Sequence, residues 1–234
     1  MKTQLRLLEA EIELVIGGIG SISGRLDELV EDASAVVRGR AARLLAEHAL
    51  ILRDHRRFAR AVTTLRNVSN RDDPNAQSDA DYLALWYRLE VNEGELSPEQ
   101  LSENERQLFW DPPTLLHAIR LARSVTSHRK LAPLLERRLS GFDVTSQLEQ
   151  AWKDEAAIIH RVLSGGDVSE LFEQYTCWDT AGRTLERYWM LAALVRLAQA
   201  QDPGGPVTHT ARRLFSDVCV ELGLCSPGEW KAAA

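Results

Sequence analysis

Residues 36–66, VVRGRAARLLAEHALILRDHRRFARAVTTLR, decide how the rest of the chain is read. Val37, Ala41, Leu44, His48, Ile51, His55, Phe58, Val62 and Leu65 recur at alternating intervals of four and three. A helix turns once in about 3.6 residues, so this spacing gathers all nine on one stripe. Arg43, Arg53, Arg56, Arg57 and Arg60 fall on the opposite side, flanked by Glu47 and Asp54. The segment carries eight arginines against two acids, a local charge of +6 in a chain whose net charge is −6. Such a helix packs through one face and presents charge on the other. The plainer alternative is a solvated basic face with intrahelical pairs.

Working outward, Leu5, Leu8, Ile12, Val15, Ile19, Ile22, Leu26 and Leu29 keep the same 3-4 rhythm and predict one helix from Gln4 to Glu31. Gly17, Gly20 and Gly24, with Gly18 and Ser21 beside them, occupy its other side. A glycine in a helix interior costs about 1 kcal/mol relative to alanine. Close approach of another helix offsets that cost, so this helix is expected to be buried on both sides. A competing reading makes Glu11–Ile16 a strand and Gly18, Gly20 and Gly24 a phosphate loop, but that motif needs a parallel sheet. No later stretch reads as strand. Ser97-Pro98-Glu99-Gln100, Ser146, Gly165-Gly166 and Asp167-Val168-Ser169-Glu170 mark helix starts and stops. The expected fold is all-α, an irregular multi-helix bundle or short helical-hairpin stack of about nine or ten helices. It is read as one domain over residues 1–234, with Ser140-Gly141 a break and a candidate subdomain boundary near 140–142. His48–Val68 and Leu83–Leu101 are similar to helix-turn-helix units of tetratricopeptide type. Phe58, however, stands where a small residue is expected, and no repeat period carries through.

At 44% hydrophobic and 26% charged, the chain has the composition of a folded protein rather than a disordered one. Three cysteines, Cys177, Cys219 and Cys225, form no CxxC pair, which fits a reducing compartment and argues against a disulfide framework. Glu9, Glu11 and Glu13 break the amino-terminal apolar run, so neither a secretory leader nor a membrane span is expected, and the location is read as cytoplasmic. Charge comes in blocks. Residues 1–35 carry −4, 36–66 carry +6, 71–106 carry −7, 114–138 carry +5 and 142–175 carry −5. Alternation of this kind either pairs opposite charges between neighbouring helices or subunits, or brings two basic segments into one groove.

Candidate chemistry is sparse. His48 and His55 lie two turns apart, about 10 Å, too far to share a metal without further ligands, and read as core histidines. Asp72, Asp73, Asp79 and Asp81 lack diphosphate-binding spacing, and Cys219, Cys225 and His209 lack zinc spacing. No cofactor or metal is expected. Arg123 and His128 make an R-x4-H pair, with Ser124 following the arginine. The spacing resembles the ribonuclease motif of HEPN domains. The resemblance rests on those residues alone, and implies an all-helical, dimeric ribonuclease whose arginine and histidine serve the cleaved phosphate.

Three function classes follow. The first is a non-enzymatic interaction or scaffold subunit, an adaptor that docks a protein partner through charge-patterned helices and can itself oligomerise. The second is a nucleic-acid-binding subunit of a ribonucleoprotein or defence complex. It would track phosphate, or else an acidic partner, with Arg53, Arg56, Arg57, Arg60, Arg120, Arg123, Arg129 and Lys130. The third is the HEPN-like ribonuclease. The absence of any formed catalytic motif ranks the first ahead.

Overall fold

A computed structural model describes residues 2–68, 71–92, 94–135, 142–177 and 183–224. Among these, every regular element is helical. They form α1 (Lys2–Val15), α2 (Ile19–Leu29), α3 (Ala35–Ile51), α4 (His55–Arg66), α5 (Ala76–Val91), α6 (Glu103–Trp110), α7 (Leu115–Val125), α8 (Gln147–Leu163), α9 (Ser169–Cys177), α10 (Thr184–Gln201) and α11 (Pro206–Glu221). Two 3-10 helices, Pro98–Gln100 and Arg129–Leu135, complete the set. The all-α class stands. The expected count of nine or ten is too low, because two of the expected helices are each divided.

The first division is at Gly17-Gly18. Gly17 takes φ +93°, a left-handed conformation that side chains disfavour. A Cβ placed there would come within 2.9 Å of Leu222 and 3.3 Å of Thr184. Both the backbone turn and the close approach therefore require glycine. Gly20 and Gly24, by contrast, have open space where a Cβ would stand. The close packing expected on the glycine face is absent there.

The break also reassigns the core face of α1. Leu7, Ala10 and Leu14 are buried, while Leu5, Leu8, Ile12 and Val15, expected in the core, are exposed. Beyond the break, Ile19, Ile22, Leu26 and Leu29 are buried as expected. Helix α1 has two apolar stripes at 3-4 spacing. Carrying the period straight through Gly17-Gly18 selects the wrong one.

The second division splits the arginine segment. α3 ends at Leu52, Arg53 takes φ 53°, and the Asp54 carboxylate accepts the backbone N–H of Arg57 at 3.0 Å to begin α4. The apolar rhythm carries across the turn, although only α4 confines its buried residues to one face; α3 is buried at every position from Leu45 to Ile51, Glu47 included. Val37, Ala41, His48, Ile51, Phe58, Val62 and Leu65 are buried. His55 is exposed instead, its ring set edge-on to Tyr87 at 5.6 Å.

The chain divides into two compact units. Among the described residues, the first comprises 2–68, 71–87, 183–186 and 218–224, and its core is built from α1–α4 and the start of α5, around Leu26, Leu45, Leu65, Tyr82 and Trp86. The second comprises the described residues of 88–177 and 187–217, with a core around Ile119, Val125, Leu131, Ile159, Leu171, Met190 and Leu194. Its helix ends follow local chemistry. Ser102 and Glu105 form a reciprocal capping box on α6, Thr114 caps α7 and Ser146 caps α8. α8 ends with Gly165 at φ +104° and the Gly166 N–H on the Arg161 carbonyl at 2.9 Å. The expected break at Ser140-Gly141, and Cys225, lie outside the described residues.

Candidate interaction surfaces

The arginines of the first unit are spent largely on its own carboxylates. Asp27, on α2, accepts Arg57 Nη2 at 2.7 Å and Arg60 Nη1 at 3.0 Å, and Arg60 Nη2 reaches Glu31 at 2.6 Å. Arg40 meets Glu11 at 2.5 Å, and Arg66 meets Asp81 at 3.3 Å. Arg43 is clamped between Asp73 at 2.7 Å and Asp79 at 2.5 Å. Gly39 leaves room for this clamp, since a Cβ there would stand 3.1 Å from the Asp73 carboxylate. Burial alone would lower the Arg43 pKa, but hydrogen bonds and charge from the two aspartates outweigh it and hold the guanidinium above its ordinary value. The Arg43 hydrogen bond in turn holds Asp73 below the usual carboxylate range. Of the two uses offered for the charge blocks, pairing between neighbouring helices is the one seen here. Arg53 and Arg56 remain exposed at the head of α4.

The basic residues 120–130 belong to the second unit, so the eight predicted binding residues fall in two units. Arg123 is 2% exposed and grips Glu155, itself 1% exposed, through two parallel bonds of 2.8 and 2.7 Å. It therefore leaves the surface set. His128 is buried as well. Its Nδ1 accepts the Leu96 N–H at 3.2 Å, which leaves Nε2–H to donate to the Leu89 carbonyl at 2.7 Å. Both ring nitrogens are occupied by backbone. Next to this pair, Glu90 accepts the Ser124 hydroxyl at 2.6 Å and Arg196 at 2.6 Å. Arg120 is half-buried, Arg129 is exposed, and Lys130, also exposed, meets Glu95 at 3.4 Å.

His48 is fully buried in the first unit. Its Nε2–H donates to the Ile19 carbonyl at 2.8 Å, and Nδ1 has no partner among the described residues. Burial lowers its pKa, and the Arg57 charge works in the same direction, against the Ile19 hydrogen bond and the charges of Asp27 and Asp54. Burial raises the Cys219 thiol to about 11, which makes it inert. Among the described residues, no cluster of three histidines, cysteines or acids is placed to hold a metal, and no helix is long and apolar enough to cross a membrane.

The feature that sequence reasoning placed in the core is the outer face of α1. Leu5, Leu8, Ile12, Val15 and Ile16 are 48–58% exposed on the side of α1 opposite Leu7, Ala10 and Leu14. Single exposed leucines are ordinary, whereas five on one stripe form a contiguous patch. The signal was present in the sequence, as a second 3-4 stripe beside a paired glycine break. Comparison with protein-family models, with curated proteins and with solved structures gives no match.

Proposed function

We propose that this chain is a non-enzymatic interaction subunit of a larger cytoplasmic complex, docking a protein partner through α1. One observation carries the reading, the aliphatic stripe Leu5-Leu8-Ile12-Val15-Ile16 held in water by a helix whose other face is already packed. Leaving such a stripe exposed forfeits the gain of burying it, so a surface that retains it is matched to a partner. The partly buried ion pairs described above support a scaffold role in another way, since they fix the helices that present the stripe. The burial of Arg123 and His128, and the bonds each already makes, weigh against the ribonuclease version. A phosphate-binding reading retains Arg53, Arg56, Arg129 and Lys130 at the surface, divided between two units.

The test is a photo-crosslinking amino acid placed at position 12 of the full chain in its host, with the same group at exposed Glu221 as control. Discrete adducts at position 12, absent at 221 and lost when Leu8 is changed to Glu, are the expected result. A circular dichroism spectrum matching wild type together with no discrete adduct at position 12 would refute the reading.

A further inference from the structure

We infer that the α1 stripe is a docking face for an amphipathic helix of another protein, one whose apolar seam is flanked by lysine or arginine. The inference rests on the interaction-subunit reading and names its partner chemistry. Geometry supplies the first half. Leu5, Leu8, Ile12 and Val15 are spaced 3-4-3, the interval at which one helix seats side chains between those of another. The next residue in the rhythm, Ile19, is already buried beyond the Gly17-Gly18 turn, so the seam ends with α1. The stripe stands opposite the packed face Leu7-Ala10-Leu14, open to an approaching helix.

Charge supplies the second half. Glu9 is exposed at one edge of the stripe and no described cation pairs with it. Glu11 lines the other edge, where Arg40 reaches it. Arg6 is engaged by Glu28, and Glu13 by Arg25. No basic residue stands in the last turn of α1, so the negative end of the helix dipole is uncompensated from within the helix. A second copy of this chain fits the seam poorly. Antiparallel pairing that sets Leu8 over Ile12 brings Glu9 beside Glu9 and Glu11 beside Glu11. Parallel pairing aligns the two dipoles and gathers the acidic ends. Both set the Glu9 carboxylate, which no described cation meets, beside another carboxylate at the edge of an apolar contact, whereas a lysine- or arginine-flanked helix complements it; Glu11 is already met by Arg40.

The experiment uses two designed helical peptides with one leucine–isoleucine seam, one flanked by lysines and the other by glutamates. Each is labelled and titrated with the full chain while fluorescence anisotropy is followed, and the chain alone is examined by sedimentation. The expected result is binding of the lysine-flanked peptide about tenfold tighter than its counterpart, lost in Ile12→Glu and with the preference erased or reversed in Glu9→Lys. Equal affinity for the two peptides would overturn the inference, as would no binding of either. A concentration-dependent dimer abolished by Ile12→Glu would also overturn it, yet would leave the interaction-subunit reading standing. That reading falls separately, by the absence of adducts at position 12.

Discussion

Glu155→Gln should be among the most damaging single changes available in the second unit. The Arg123–Glu155 pair sits at 2% and 1% exposure with two bonds of 2.8 and 2.7 Å, so the substitution removes a carboxylate charge that faces a guanidinium in a place with almost no water. Removing one partner of a buried pair costs about 3–5 kcal/mol, far above the roughly 0–1 kcal/mol of a surface pair. The cost comes from a buried charge that is less well compensated more than from the lost attraction. Replacing both residues with apolar groups of similar volume, Arg123→Met with Glu155→Leu, should therefore recover most of the loss. Urea denaturation followed by circular dichroism at 222 nm measures both, with the slope against urea checked for constancy. Arg123→Ala alone should behave like Glu155→Gln. If instead it shifts stability by less than about 0.5 kcal/mol, the residue acts as a solvent-exposed side chain. The burial argument would then fail, and Arg123 would return to the phosphate-binding set.

His48 predicts a specific pH dependence. Its pKa in the fold lies below the ordinary value, so the native state favours the neutral ring. Its contribution is fully present above about pH 6.5 and is lost as pH falls below that, towards the folded-state pKa. His48→Gln keeps a donor for the Ile19 carbonyl and cannot titrate, so the fall in urea midpoint between pH 7.5 and 5.5 should be smaller than in wild type; equal falls would show that the ring is solvated. The glycines of the α1–α2 hairpin should respond with opposite signs. Gly17→Ala, at φ +93° and facing Leu222, should lose about 1–2 kcal/mol, while Gly20→Ala, inside α2 with nothing near its Cβ position, should gain up to about 1 kcal/mol. Losses of similar size in thermal melts of both variants would mean that the Gly20 side of α2 is packed after all.

What was legible in this sequence was whatever is settled within a turn or two of the chain. Ser146 before α8, Gly165-Gly166 after it and the Asp167-Ser169 turn are local hydrogen-bonding devices, and they stand where the residues indicate. The inward set of α4 was legible for the same reason, Phe58, Val62 and Leu65 lying on the one face its arginines leave free, whereas α3 is buried all round from Leu45 to Ile51 and no single stripe describes it. Three things were not. Asp54 reads equally well as an arginine's helical neighbour and as an N-cap. Only the Arg57 N–H bond and the left-handed Arg53 decide for the cap. The arginine charge could be counted but not assigned, since Asp27, Glu31, Asp73 and Asp79 approach α3 and α4 from 30 or so positions away, and no local rule fixes those partners. The third is α1, and there the failure is informative. A helix with one apolar stripe announces its buried side, whereas one with two leaves the choice to tertiary packing. Folding uses Leu7, Ala10 and Leu14, and the stripe it leaves unused is the longer of the two. A sequence selected only for the stability of the isolated chain would have little reason to maintain that second stripe in water. That exposed stripe at 3-4 spacing, bordered by Glu9 and Glu11, is the physical ground for the proposal that a partner docks on α1 rather than on the arginines.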